Sequence, residues 1–267
     1  MISPLASIHP NAQLGNNVTV DPFAVIQENV IIGDDTHIMS HAVIMPFSRI
    51  GKGCKIHPGA VIGGVPQDLK FVGEETTAEI GDYTTIRECV TVNRGTKDKF
   101  KTVVGSNCLL MAYAHVAHDC VVGDHVILAN AVQLAGHVEV GDYAILSGLA
   151  AVNQFTRIGA HTYIGGQSAV RKDVPPYTKA AREPLAYMGV NIVGLHRRNF
   201  HQHEIQSISQ IYHLIFVGNH SIPKGIEIVK EQVQDSKIKE EILSFIQNSK
   251  IGIIKRYSKN GVEEDED

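Results

Sequence analysis

The sequence predicts a mainly β protein, a parallel β-helix of triangular coils followed by a C-terminal α-helical domain. Three observations predict it. An aliphatic residue recurs at every sixth position from Ile2 to Val170 without a slip of phase, failing only at Asp68, Glu74 and Asp98. Glycine recurs at multiples of eighteen residues, at Gly15, Gly33, Gly51, Gly105, Gly123, Gly141 and Gly159. Beyond Pro175-Pro176 both periods stop, and apolar residues take helical spacing at Ile205, Ile208, Ile211, Tyr212 and Ile215.

Within each hexad a small residue follows the large aliphatic by four positions, as at Ala42, Ser48, Cys54 and Ala60. It therefore precedes the next aliphatic by two, and in an extended strand the two side chains face the same way. Three hexads make one coil. Glycine with Asn, Asp or Lys is expected to turn each corner, and coils stack about 4.8 Å apart. Cys54, Cys108 and Cys120 occupy the small inward position and read as compact core residues, whereas Cys89 has no assignment. No close cysteine pair suggests a zinc ribbon or a disulfide framework.

The repeat domain spans 1–176. The three failed hexads define two excursions, 64–78 and 94–101, which leave the prism and return in phase; loops on a rigid scaffold are common seats of chemistry. A connector is expected at 177–193 and an α-helical domain at 194–259, with helices near 223–234 and 237–248. Ser221 followed by Pro223 reads as a helix start. Residues 260–267, ending in EEDED, read as a solvated acidic tail.

A hydrophobic content of 43% over 267 residues supports a sizeable core, and a formal charge of −4 offers no basic excess for nucleic acid. The N-terminus has no cationic start or apolar h-region, and no stretch is long enough to span a bilayer, so a cytoplasmic protein is expected.

The eighteen-residue coil tests which of the fourteen histidines converge. His118, Gly136 and Gln154 fall in one column, with His115 on the same face and His137 and Asn153 flanking. Singly these would be surface residues; together they form a polar cluster suited to acyl transfer. That reaction needs a base of near-neutral pKa for a hydroxyl proton and a donor for the developing oxyanion, types that His118 and the Gly136 N–H supply. Asp119 is placed to hold the imidazole tautomer, although neighbouring strand residues ordinarily point apart.

The segments PQDLKFVGEET, IGDYTTIRECVTVNRGT, LLMAYAHVAHDCVVGDHVILAN, LAGHVEVGDYAI and GVNIVGLHRRNF resemble the acyl-ACP:UDP-N-acetylglucosamine O-acyltransferase family, over nearly the whole chain. The resemblance implies a left-handed coil and transfer of a 3-hydroxyacyl group to the sugar 3-hydroxyl, the first step of lipid A biosynthesis. It makes His118 the general base, Asp119 its support and Gly136 the oxyanion donor, with no covalent acyl-enzyme. It places Gln67, Asp68, Lys70, His115, His137 and Gln154 around the sugar and its phosphates, and Asn191 and Arg198 near the nucleotide. Gly166 matches the acyl-chain ruler, and its bare position implies a chain of roughly fourteen carbons or more.

The resemblance further implies a homotrimer with sites between adjacent prisms. No metal or cofactor is implied beyond the phosphopantetheine-linked acyl chain of acyl carrier protein, the donor substrate. That partner is acidic, and Arg197, Arg198, Lys250, Lys255 and Arg256 are candidate contacts. Asn93 and Asn153 stand where relatives carry histidine, and Val193 where an acidic residue contacts ribose, which leaves a 3-amino sugar open as an alternative acceptor. The sister N-acyltransferase carries an extra N-terminal domain, for which a repeat starting at Ile2 leaves no room. A trimeric β-helix carbonic anhydrase would need a three-histidine zinc set that His115 and His118 do not match.

Overall fold

The computed structural model describes residues 1–218 and 220–257; the tail expected at 260–267 lies outside them. Strands, most of two residues and all but the last parallel, form three faces of a prism, with nine strands described in the first face, eight in the second and ten in the third. The chain visits the faces in rotation: Val25–Ile26 lies on the first, Ile31–Ile32 on the second and His37–Ile38 on the third. Each strand pairs with one a coil further on, Val25 with Val43, Ile31 with Arg49 and His37 with Lys55.

Alternation fills the interior. In Ser48–Ile50 the two outer residues are buried and Arg49 faces out. Ile26, Ile44 and Ile62 stack in one column behind the first face, and Leu110 and Leu128 in another behind the third, all at no more than 1% exposure; burial of each contributes about 1.5–3 kcal/mol. Cys54, Cys108 and Cys120 sit in the small inward positions, and burial pushes the Cys108 thiol up to about 11 and that of Cys120 up to about 12. Threonines in that position keep their hydroxyls satisfied: Thr36 and Thr84 donate to the carbonyls of Gly51 and Gly105 at 2.9 and 2.7 Å.

The corners depart from expectation. The left-handed torsion belongs mostly to non-glycine residues, including Asn17, Asn29, Asp35, Asn107, His125 and Tyr143, with φ between 55° and 59°, and glycine takes it at Gly53 and Gly59. Asn and Asp tolerate that region because their short polar side chains bond locally. At the aromatic corners the rings stack: His125, Tyr143, His161 and Tyr177 form a column with centroids 4.5, 5.0 and 5.4 Å apart. The periodic glycines serve instead for close approach between coils. A Cβ on Gly33 would lie 2.7 Å from the Gly51 carbonyl carbon and the Lys52 nitrogen. Gly33→Ala is therefore expected to destabilise the fold by about 1–3 kcal/mol, measurable as a lower urea midpoint.

Thr91 follows its partner Val61 by thirty residues where one coil takes eighteen, and His115 follows Thr91 by twenty-four. The two excursions thus add two hexads and then one, which is why the phase survives. Gly64, Thr77, Ala78 and Lys101 remain paired in the ladders, so the backbone outside the strands is narrower than the sequence suggests, 65–76 and 94–100. Both excursions leave from the edge between the first and second faces. They are tied together there. The Gly95 N–H donates to Thr77 at 3.1 Å, the Thr76 hydroxyl donates to Gly95 at 2.5 Å, and the Arg94 guanidinium lies 5.3 Å over Phe47 and 5.1 Å over Phe71.

The segment expected as a connector is structured. Thr178–Ala181 extends the third face beside Tyr163–Ile164, and Ala186–Val190 returns antiparallel to it. Helix α1 (Ile192–Arg197) starts two residues ahead of Gly194 because the side-chain Oδ1 of Asn191 accepts the Gly194 N–H. Helix α2 (Gln202–Phe216) buries Ile205, Ile208, Ile211, Tyr212 and Ile215, and the Tyr212 hydroxyl donates to Pro176 at 2.6 Å. Helices α3 (Ile222–Gln232) and α4 (Lys237–Gln247) follow. Ile253 and Arg256 then bridge back to Asp173 and Tyr187, so the end of the expected helical domain is extended. Among the described residues no helix is long and apolar enough to cross a membrane.

Candidate active site

His118 and Asp119 form a corner between the first and second faces, after the strand His115–Val116. The expectation that their side chains diverge fails, because Asp119 is a corner residue with φ 60°, and the turn brings its Oδ2 to 2.8 Å from His118 Nδ1. The carboxylate is fully buried. The Thr96 hydroxyl donates to Oδ2 at 2.7 Å, while the N–H groups of Thr96 and Lys99 donate to Oδ1 at 3.0 and 3.2 Å. Burial pushes the carboxyl pKa up, but the bonds from Thr96, His118 and the backbone outweigh it and hold the group below its ordinary value. An ionised acceptor at Nδ1 fixes the tautomer with the proton there and leaves a lone pair on Nε2.

Gly136 lies one coil above. A Cβ there would lie 2.6 Å from His118 Cε1 and 2.7 Å from Nε2, so only glycine lets the imidazole rest beneath the chain. The His137 N–H donates to the His118 carbonyl at 3.0 Å and the Ala135 N–H to Val152 at 3.1 Å, whereas the Gly136 N–H enters no coil-to-coil bond among the described residues. That leaves it as a spare donor beside the imidazole.

His137 stacks on Phe155 at 4.5 Å and meets His118 edge-on at 5.1 Å. Its Nε2 is 3.9 Å from Asp119 Oδ2, and its Nδ1 is 3.1 Å from Asp98 Oδ2 but at an angle that makes no hydrogen bond. His115 Nδ1 is 2.7 Å from the Thr91 hydroxyl; burial, then the nearness of His118, lowers its pKa. Ligand-type atoms of His118, Asp119 and His137 lie within 4.8 Å of one another. The Asp119 oxygens, however, already accept four N–H and O–H donors, which suits a site that orients a proton rather than one that binds zinc.

The remaining expected residues divide among the prism edges. Gln67, Asp68 and Lys70 lie on the first excursion, at the same edge as His118, and Asp68 Oδ1 accepts the Lys70 N–H at 2.9 Å. Gln154 is exposed one coil beyond Gly136. Arg198 and Asn191 lie against the edge between the second and third faces. Arg198 Nη2 donates to Tyr143 at 2.7 Å, and its Nη1 is buried without a partner. Asn191 caps α1 and donates to His161 at 2.9 Å, so both halves of its amide serve the fold. Gly166 lies at the third edge, where a Cβ would meet the Gly148 carbonyl at 3.2 Å.

One chain thus gathers His115, His118, Asp119, Gly136 and His137, and sends the Arg198 and Gly166 groups to other edges. Sequence reasoning missed Thr96, Lys99 and Asp98, although Thr96 closes the motif IGDYTTIRECVTVNRGT. Of the departures, Asn93 is buried and donates to Val65 at 2.9 Å, bracing the first excursion, while Val193 is exposed.

The hexapeptide profile of bacterial transferases (six repeats) matches residues 11–44, 29–64 and 101–136, and the profile "Udp N-acetylglucosamine O-acyltransferase; Domain 2" matches 173–254. Fold and site define a left-handed hexapeptide-repeat transferase. The chain is 51% identical over 245 residues, 91% of its length and 93% of the relative's, to an acyl-(acyl-carrier-protein)–UDP-N-acetylglucosamine O-acyltransferase of Chlorobaculum parvum, and 60% identical over 203 residues, 76% and 78%, to that of Aquifex aeolicus. A crystallised UDP-N-acetylglucosamine acyltransferase from Bacteroides fragilis superposes with a TM-score of 0.94 at 49% identity, covering 96% of this chain and all of that one. The chain belongs to the acyl-(acyl-carrier-protein)–UDP-N-acetylglucosamine O-acyltransferase family.

Proposed function

We propose that the chain transfers a 3-hydroxyacyl group from the phosphopantetheine thioester of acyl carrier protein to the 3-hydroxyl of UDP-N-acetylglucosamine, the first step of lipid A biosynthesis. The observation that carries the chemistry is the His118 imidazole, held at Nδ1 by an ionised Asp119 and lying beneath Gly136. His118 Nε2 takes the hydroxyl proton as the sugar oxygen attacks the thioester carbonyl. The oxyanion meets the Gly136 N–H, the carbon–sulfur bond breaks, and the leaving thiolate takes the proton from His118. No acyl-enzyme and no further cofactor enter.

Gln67, Asp68, Lys70, His115, His137 and Gln154 surround the sugar and phosphates in this reading. Arg198, with its spare buried Nη1, takes the diphosphate, and Asn191 holds the start of α1 beside it. Because Arg198 and Gly166 lie at other edges than His118, adjacent prisms complete each site in a cytoplasmic homotrimer. Acidic carrier protein docks on Arg197, Lys250, Lys255 and Arg256.

The test is acyl transfer from 3-hydroxyacyl carrier proteins to UDP-N-acetylglucosamine and to its 3-amino analogue. Ester formation on the first substrate is expected; absence of transfer, or preference for the amine, overturns the reading. Gly166→Met fills the bare edge and is expected to shift preference toward shorter chains by several carbons, with kcat/KM for the longest donors down about tenfold or more. A profile of chain lengths equal to the parent's would discard the ruler.

A further inference from the structure

We propose that Thr96 is a positioning residue of this reaction, clamping the Asp119 carboxylate in the orientation that presents His118 to the acceptor. The inference rests on the reading of His118 as the base. It starts from a question the repeat leaves open: why the coil before His118 carries one extra hexad. The loop that carries it, 94–100, folds under the corner and delivers three donors to one buried carboxylate, the Thr96 hydroxyl and the N–H groups of Thr96 and Lys99.

The direction of the hydroxyl proton follows from its other partner. The Asp98 N–H donates to Thr96 Oγ1 at 3.3 Å, so the hydroxyl accepts there and gives its own proton to Asp119 Oδ2. That same oxygen accepts from His118 Nδ1. Thr96 and the catalytic imidazole therefore share one acceptor atom, and the geometry of one bond constrains the other. Thr96 is 6% exposed and Asp119 fully buried, so no bulk water is at hand to replace the hydroxyl. The clamp is itself anchored, through the Thr76 hydroxyl and the Gly95 N–H, to the start of the strand Thr77–Ile80.

Among the described residues, the charged and titratable groups near Asp119 are His118 at 2.8 Å, His137 at 3.9 Å with Asp98 beyond it, Lys99, which contributes its backbone, and the buried Cys120 thiol, whose hydrogen goes to the Ala135 carbonyl. None of them can supply the donor that Thr96 provides on Oδ2 without giving up its present place.

Thr96→Val keeps the volume and deletes the O–H. It is expected to lower kcat about ten- to a hundredfold with KM for both substrates unchanged, and to raise the titration midpoint of the Asp119 carboxyl carbon followed by NMR. Thr96→Ser is expected to restore both. A valine variant with parental kcat and midpoint, alongside an inactive His118→Ala, overturns the clamp and leaves the base standing; turnover retained in His118→Ala overturns the base itself. A loss confined to KM or to melting temperature also overturns the clamp, since it marks a sugar-binding or purely structural residue. Should the valine variant fold poorly, Thr96→Cys, a weak donor of similar volume, is expected to give an intermediate kcat, and parental kcat there rejects the proposal.

Discussion

His118→Ala is expected to lower kcat by about 10³- to 10⁴-fold, the upper part of what a positioned general base contributes. The reason is local. Nε2 is the lone-pair nitrogen of an imidazole whose Nδ1 is tied to a buried, ionised carboxylate, and the chain roofs that ring with a glycine. Of the neighbouring imidazoles, His115 is engaged with Thr91 on the face, and His137 is stacked between Phe155 and the His118 edge. Neither can move onto the reacting hydroxyl without leaving a packed position. The backbone carbonyl of residue 118 still accepts the His137 N–H in the variant, so the coil ladder persists and circular dichroism should match the parent. Initial rates under saturating substrates decide it: retention of more than about a tenth of the parental kcat would remove His118 from the role.

How far this site was legible depends on which physical constraint each residue records. The interior of the prism repeats one requirement every six residues, and a requirement repeated from Ile2 to Val170 is readable without knowing any contact. The column of His118, Gly136 and Gln154 inherits that legibility, because excursions built of whole hexads leave the register intact. The periodic glycines are different. Their sequence signal says that a small residue recurs but not why: the periodic glycines serve close approach between coils, and the left-handed torsion of the corner falls two positions on, at Asn17, Asp35 or Tyr143. Asp119 is hard to read for a related reason: the alternation rule holds for strands, and its φ of 60° makes it a corner residue.

Thr96 had no period to reveal it, since 94–100 is the part of the chain that leaves the repeat and its bonds to Asp119 depend on the path the loop takes. The connector illustrates the same limit, because a single added strand, Thr178–Ala181, and its antiparallel return carry too few residues for alternation to stand out.

The glycine roof gives the second large effect. Gly136→Ala is expected to lower kcat about a hundredfold or more, although it removes no functional group and leaves the proposed oxyanion donor in place. The added methyl would stand 2.6 Å from His118 Cε1 and 2.7 Å from Nε2, well inside contact distance. The ring cannot simply retreat: its Nδ1 is bonded to Asp119, and that carboxylate is held by Thr96 and Lys99. Either the imidazole swings off the carboxylate or the coil shifts, and a displacement of the order of 1 Å at the reacting atom is enough for a hundredfold loss. Gly33→Ala is the matched control, a comparable clash between coils in a part of the prism remote in sequence from His118. If both variants lose stability but only Gly136→Ala loses kcat beyond threefold, the missing side chain at 136 serves the imidazole. Equal kcat values in the two would make Gly136 another packing glycine, and the base would have to act from a ring that tolerates displacement.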